Sequence, residues 1–87
     1  MKKTISINLS GIIYYIEEDG FETLKEYLDN IRSQFKNKEE ADMILEDVEI
    51  RIAELFSEKL STSKTAILLT DVQDVIAVMG DASDYSI

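Results

Sequence analysis

Residues 5–16 read ISINLSGIIYYI, and this stretch constrains the fold more than any other part of the chain. Its first half alternates between apolar and polar residues, which is typical of a β-strand with one buried face. Ser10 and Gly11 then interrupt the alternation, and a glycine supplies the positive φ that a two-residue hairpin turn requires. The sequence therefore predicts a β-hairpin that turns at Ser10-Gly11.

The predicted turn also sets the register of the hairpin. It places Leu9 opposite Ile12, and each step away from the turn adds an opposed pair, up to Ile5 opposite Ile16. A slip of one residue would mix the two faces, so the pattern specifies this register. One face is then wholly apolar, and we expect helices to cover it: Ile5, Ile7, Leu9, Ile12, Tyr14 and Ile16.

A first helix is predicted within residues 17–37, because apolar residues recur there at spacings of three and four. Asp19, with Glu22 three residues later, has the pattern of a capping box and predicts the start of this helix.

A second and longer helix is predicted within residues 39–60, where the apolar period is strongest. Asn37 and Glu40 form a cap ahead of it. Val48 and Ile52 lie in the middle of its apolar stripe, so we expect both side chains at the centre of the core.

The C-terminal part of the chain predicts one more helix. Residues 66–69 are apolar and are interpreted as either a third strand or extended chain. Thr70 and Gln73 form a cap for the helix that follows, and Gly80 is placed to end it. The whole chain therefore reads β-β-α-α-(β)-α, an α+β fold in which an N-terminal hairpin packs on about three helices. Its length suits a single domain, residues 1–87.

The charge balance disfavours several classes of partner. The chain has 18 Asp and Glu against 9 Lys and Arg, a net charge of −9. Because nucleic-acid binding depends largely on neutralising phosphates, we expect no nucleic-acid partner. An anionic membrane surface is disfavoured because it would also repel a chain of negative net charge.

The apolar runs of the sequence are short. Polar residues interrupt the N-terminal apolar stretch, unlike a signal peptide, and no run approaches the roughly 20 apolar residues of a membrane span. We therefore expect residues 1–87 to be a soluble segment.

Enzyme chemistry finds little support in the residue types present. Histidine and cysteine are absent, which excludes Ser-His and Cys-His nucleophile systems. The segment with Asp81, Ser83 and Asp84 lacks the glycine and glutamate of a calcium loop. The carboxylates of the second helix lie off its apolar stripe and are interpreted as a solvated face: Glu46, Asp47, Glu49, Glu54 and Glu58. We expect no catalytic residue, no cofactor and no metal site.

Four apolar residues lie outside the expected core and are candidates for a protein interface. Ile13 and Tyr15 share the outer face of the hairpin, while Met43 and Ile50 lie on the far side of the long helix. Neighbouring exposed apolar residues can mark a contact surface, although β-branched and aromatic residues also favour strands in themselves. The expected partner is another protein or a second copy of the chain, the latter as a symmetric homodimer.

Three stretches of the sequence carry a resemblance to a known family. They are MKKTISINLSGIIYYIEEDGFETLKEYLDNI, EDVEIRIAELFSEKL and LLTDVQDVIAVMGDASDY, and together they span most of the chain. In this order and spacing they resemble the N-terminal region of PspC-domain (phage shock protein C family) proteins of Bacteroidetes-type bacteria. No single motif is diagnostic, and the resemblance depends on the combination.

The resemblance implies a place in a larger protein. In that family this region precedes a membrane-embedded PspC segment, and the family is linked to envelope stress and often labelled as a transcriptional regulator. We therefore expect residues 1–87 to be the soluble N-terminal fragment of a membrane protein, on the cytoplasmic side of the inner membrane. The expected function is a non-enzymatic protein-interaction or regulatory domain. A DNA-associated transcriptional regulator and a small-molecule or ion sensor remain as alternatives.

Overall fold

A computed structural model describes residues 3–85 of the chain. The elements follow the order β-β-α-α-β-α, which confirms the predicted α+β fold, and a short 3-10 helix comes last. Their bounds are β1 (Thr4–Leu9), β2 (Ile12–Glu17), α1 (Glu18–Arg32), α2 (Lys38–Lys59), β3 (Ala66–Ile67), α3 (Leu69–Met79) and the 3-10 helix (Ala82–Tyr85).

The hairpin has the predicted turn and register. β1 and β2 pair antiparallel, with Leu9 opposite Ile12 and Ile5 opposite Ile16. Both turn residues have positive φ, 53° at Ser10 and 85° at Gly11, which is the pattern of a type I′ turn. The Asn8 side chain accepts a hydrogen bond from the Gly11 N–H at 3.0 Å and closes the turn.

The short β3 decides between the two alternatives for residues 66–69. Ala66 and Ile67 pair parallel with β2, opposite Tyr15 and Ile16. β2 is therefore the central strand of a three-stranded sheet in the order β1-β2-β3. Leu68 and the following residue do not continue the strand, because α3 begins there.

The cap predicted at Asp19 and Glu22 is wrong. α1 begins at Glu18, directly after β2, with Glu17 as its N-cap residue. The chain therefore passes from strand to helix without a loop, and Asp19 already lies inside the first turn. The cap predicted for α2 is confirmed, since the Asn37 side chain accepts hydrogen bonds from two N–H groups of the first turn, at 2.8 and 3.3 Å.

The cap predicted at Thr70 and Gln73 is also wrong, because α3 starts at Leu69. Two carboxylates accept hydrogen bonds from backbone N–H groups at the start of α3. Asp71 Oδ2 accepts from the Leu68 N–H at 2.9 Å, and Glu17 Oε1 accepts from the Leu69 N–H at 2.9 Å. Negative groups are favourable at this end of a helix. The predicted end of α3 at Gly80 is confirmed.

The core lies between the helices and one face of the sheet. Val48 and Ile52 are buried in the middle of α2, as predicted. Tyr14 ties the hairpin to α2, because its hydroxyl donates a hydrogen bond to the Ala53 carbonyl oxygen at 2.8 Å and its ring meets Phe56 edge to face at 5.7 Å. Among residues 3–85, no helix is both long and apolar enough to cross a membrane.

The covered face of the hairpin is less complete than predicted. Ile12 lies on this face but is 49% exposed, whereas its partner Leu9 is buried. Ile5 and Ile7, on the outer strand, are only half-buried.

Candidate protein interface on the sheet

The second face of the sheet is left open by the helices in the described part of the chain. Ile13 and Tyr15 project from it on the central strand, and each is 57% exposed. Register sets Tyr15 between Ser6 on β1 and Ala66 on β3, and it sets Ile13 opposite Asn8. We call this surface the open face: two large apolar side chains on β2, bordered on β1 by small polar ones.

Leu68 extends the open face beyond β3. It follows Ala66 by two residues, while the intervening Ile67 is fully buried, so Ala66 and Leu68 share the outward side. Leu68 is an exposed apolar residue in the structure. Sequence reasoning missed it, because its exposure depends on where β3 ends and α3 begins.

Met43 and Ile50 do not join the open face. Both are exposed, 69% and 42%, on the side of α2 that turns away from the core. The buried side of α2 faces the covered side of the sheet, as the bond from Tyr14 to Ala53 shows. The structure therefore brings together the first predicted pair and leaves the second as a separate patch on another surface.

The free edge of β1 adjoins the open face. The Glu18 N–H bonds to the Lys3 carbonyl oxygen at 2.9 Å, which makes this pair a hydrogen-bonded one. Since such pairs alternate along an antiparallel ladder, the backbone groups of Thr4, Ser6 and Asn8 point away from β2. β1 is the outermost strand on this side of the described sheet, so these groups face outward.

A groove of about 260 Å³ lies beneath β1, between this strand and the helices α1 and α2. Leu9, Leu24 and Leu45 contribute an apolar floor, and charged side chains, including Arg32 and Glu49, stand at its border. Arg32 is already paired with Asp42, at 2.9 Å.

The pKa of Glu49 is raised, chiefly because the carboxyl group is partly buried and also because Glu46 is close, while Arg32 opposes the shift. Glu49 is half-buried in the groove, so the prediction of a solvated side chain is wrong for this residue. The other four carboxylates of the α2 set are exposed, as predicted: Glu46, Asp47, Glu54 and Glu58.

Two other side chains with shifted pKa values, Asp71 and Tyr27, form hydrogen bonds at the two ends of α3. Asp71 is buried and pairs with Lys64 at 2.6 Å; burial alone would raise the pKa of Asp71, but the bonds from Lys64 and from the Leu68 N–H lower it below its ordinary value. Burial raises the pKa of Tyr27, whose hydroxyl donates to the Gly80 carbonyl oxygen at 2.7 Å. Neither group lines the groove.

Metal binding and the C-terminal acidic segment give no further site. Within residues 3–85, no group of three or more Asp and Glu side chains is arranged to hold a metal ion. In the acidic segment, Asp84 Oδ2 accepts a hydrogen bond from the Asp81 N–H at 3.2 Å, inside the turn that follows α3.

Comparisons with protein-family models, with curated proteins and with solved structures each return no match. A functional assignment therefore depends on the contacts and exposed surfaces of this chain, together with the resemblance carried by its three sequence stretches.

Proposed function

We propose that this chain is a non-enzymatic protein-interaction domain that binds its partner through the open face. The observation that carries the proposal is the exposed pair Ile13 and Tyr15 on the central strand. A central strand with a solvated outer face ordinarily carries polar residues there. Here the most central positions are large and apolar, and the polar residues lie to the side.

The composition of the open face supports a protein partner. Interfaces are enriched in aromatic residues at the centre and are bordered by polar residues that stay in contact with water. Tyr15 occupies the central position, between Ser6 and Ala66, and its ring supplies a large contact area with few rotatable bonds. The net charge of −9 favours a partner surface that is neutral or basic.

The biological setting in this proposal comes from the resemblance to PspC-domain proteins. We propose that the domain belongs to an envelope-stress membrane protein of this type, on the cytoplasmic side of the inner membrane, where it relays a signal by binding another protein. Because β1 and β2 belong to the first resembling stretch, MKKTISINLSGIIYYIEEDGFETLKEYLDNI, their part of the open face lies in the region that carries the resemblance.

Site-specific photo-crosslinking in cells that express the full-length parent tests the proposal. A photoreactive phenylalanine analogue replaces Tyr15 in one variant and the exposed Glu58 in a background control. We expect a discrete adduct from position 15 that position 58 does not give. Identical adduct patterns at the two positions would overturn the open face as the binding surface.

A third variant carries the analogue at Ile50 and compares the two predicted patches. A specific adduct at position 50 without one at position 15 would move the interface to the exposed side of α2. Peptide mass spectrometry of the adduct also separates two kinds of partner, because it contains only peptides of the parent when the partner is a second copy and additional peptides when it is another protein.

The groove beneath β1 keeps the sensor alternative open. Its apolar floor and charged border are the kind of lining found in ligand sites, but its volume of about 260 Å³ lies just below the common range of about 300 to 1,000 Å³. A thermal-shift screen against metabolites and divalent ions addresses this function. A saturable rise in melting temperature, lost on Glu49→Gln, would favour it. A gel-shift assay at low salt addresses the DNA-associated alternative, which the net charge disfavours.

A further inference from the structure

β1 lacks the features that usually protect an edge strand. Proteins protect exposed edges with charged residues, prolines, bulges or very short strands. At the opposite edge of this sheet, β3 is only 2 residues long. β1 has 6 residues, TISINL, without a charge or a proline, and its register with β2 is unbroken. Its outward backbone groups are therefore available for pairing with another strand.

We propose that two copies of the chain pair edge to edge through β1, antiparallel about a two-fold axis at Ser6. This inference rests on the proposed interaction function and assigns one of its partners. The register follows from the hydrogen-bonding pattern, because only outward-facing backbone groups can bond across the new edge. Ser6 then lies opposite Ser6 of the second copy, and Thr4 lies opposite its Asn8.

This register also matches apolar residues with apolar residues. Ile5 of one copy lies opposite Ile7 of the other, on the covered side of the sheet. Both side chains are half-buried in the single chain, because no described strand lies beyond β1. Pairing removes their remaining surface from water, which is the principal source of stability in such a contact.

The same register brings no like charges opposite each other. No charged residue lies in β1, so the pairing opposes no like charges even though each chain has a net charge of −9. Lys3 of one copy comes opposite Leu9 of the other, on the covered side. Leu9 lines the groove whose border carries the carboxylates Asp29 and Glu49 and the cations Lys25 and Arg32, and Arg32 is already paired with Asp42. The second copy would add the Lys3 ammonium group to this border, which includes the half-buried Glu49 carboxylate.

Edge pairing would make one continuous six-stranded sheet from the two three-stranded sheets. The two-fold axis stands perpendicular to this sheet, so both open faces lie on the same side. Two Ile13–Tyr15 pairs then share one surface, which gives the partner of the proposed function a larger docking area. The dimer contact itself is small, and we expect it to be weak and dependent on concentration.

Disulfide mapping tests the register, because the native chain contains no cysteine. We compare Ser6→Cys, Thr4→Cys, Asn8→Cys and Ile13→Cys in a glutathione redox buffer at high micromolar protein. We expect Ser6→Cys to form a covalent dimer about tenfold faster than any other single variant, because pairing raises the effective thiol concentration at the axis. A mixture of Thr4→Cys and Asn8→Cys should cross-link faster than either alone.

Equal cross-linking rates for all four cysteine variants would overturn the edge pairing. Faster cross-linking of Ile13→Cys would also overturn it, and it would show instead that two copies meet through their open faces. Urea melts of each reduced variant confirm that the comparison is made between folded proteins.

Light scattering across concentration and salt separates this inference from the proposed function. Ser6→Pro removes an outward N–H and no bond to β2, a position where an edge strand tolerates proline. We expect Ser6→Pro to be monomeric, while Ile13→Lys/Tyr15→Ser dimerises like the wild type. A wild type that stays monomeric at high micromolar concentration and high salt would overturn the edge dimer, and the crosslinking test at Tyr15 would still decide the open face.

Discussion

Ile52→Ala removes three carbon atoms from a side chain that is fully buried in the middle of α2. At about 0.8 kcal/mol for each buried carbon, the lost transfer free energy is about 2.4 kcal/mol. A cavity remains because the surrounding residues relax only in part, and buried Ile→Ala changes cost about 2 to 5 kcal/mol in total. We expect a loss of about 3 to 4 kcal/mol, a large fraction of the free energy of unfolding of a domain of this size.

Urea denaturation followed by circular dichroism measures this loss, and Ile50→Ala is the matched control. Ile50 lies two residues away on the same helix and is 42% exposed, so its variant has the same gain in helix propensity with much less burial to lose. We expect the control to change the free energy of unfolding by less than about 1 kcal/mol. A loss below about 1 kcal/mol for Ile52→Ala, or equal losses for both variants, would refute the assignment of the α2 core face.

Three further predictions concern contacts seen in the fold. Ser10→Asn should raise the free energy of unfolding by about 0.5 to 1 kcal/mol in urea melts, because asparagine tolerates the positive φ of this turn better than serine. Tyr14→Phe should lower it by about 0.5 to 1.5 kcal/mol, because the variant lacks the hydroxyl that bonds to the Ala53 carbonyl oxygen and to Ser57 Oγ, and an unchanged urea midpoint would contradict these bonds. Asp71→Asn should have a lower free energy of unfolding than the wild type. This difference should be constant above about pH 5 and shrink as the pH falls below about 4. A carboxyl group with a lowered pKa stabilises the fold only while it is ionised, and a deficit that does not change between pH 3 and 7 would be against this.

The parts of the fold that the sequence predicted depend on short-range signals. The hairpin register follows from the period of two in β1 and from a turn of two residues at Ser10-Gly11, both contained within residues 5–16. Asn37 is recognisable as a cap because it bonds to N–H groups only two and three residues away. The buried stripe of α2 follows from its helical period alone.

The two incorrect caps depend on contacts between distant parts of the chain. The Leu69 N–H is satisfied by Glu17, 52 residues earlier, so α3 can begin at a leucine that has no capping side chain of its own. That contact requires α1 and α3 to meet closely, and they do so at Gly20, where an added Cβ would lie 3.3 Å from the Leu69 Cα. Neither the bond nor the close approach leaves a local pattern in the sequence.

The candidate site was predictable in its side chains and less so in its backbone. Alternation predicts that Ile13 and Tyr15 point away from the helices, but only the position of β3 identifies β1 as the outer strand beside them. In β1, successive side chains point to opposite faces of the sheet, and successive backbone N–H and C=O groups point alternately toward β2 and away from it. Thr4, Ser6 and Asn8 therefore carry both the outward side chains and the outward backbone groups. Since these residues contribute neither to the covered face nor to the hydrogen bonds with β2, we expect substitutions at Ser6 to affect the proposed edge pairing and to leave the core intact.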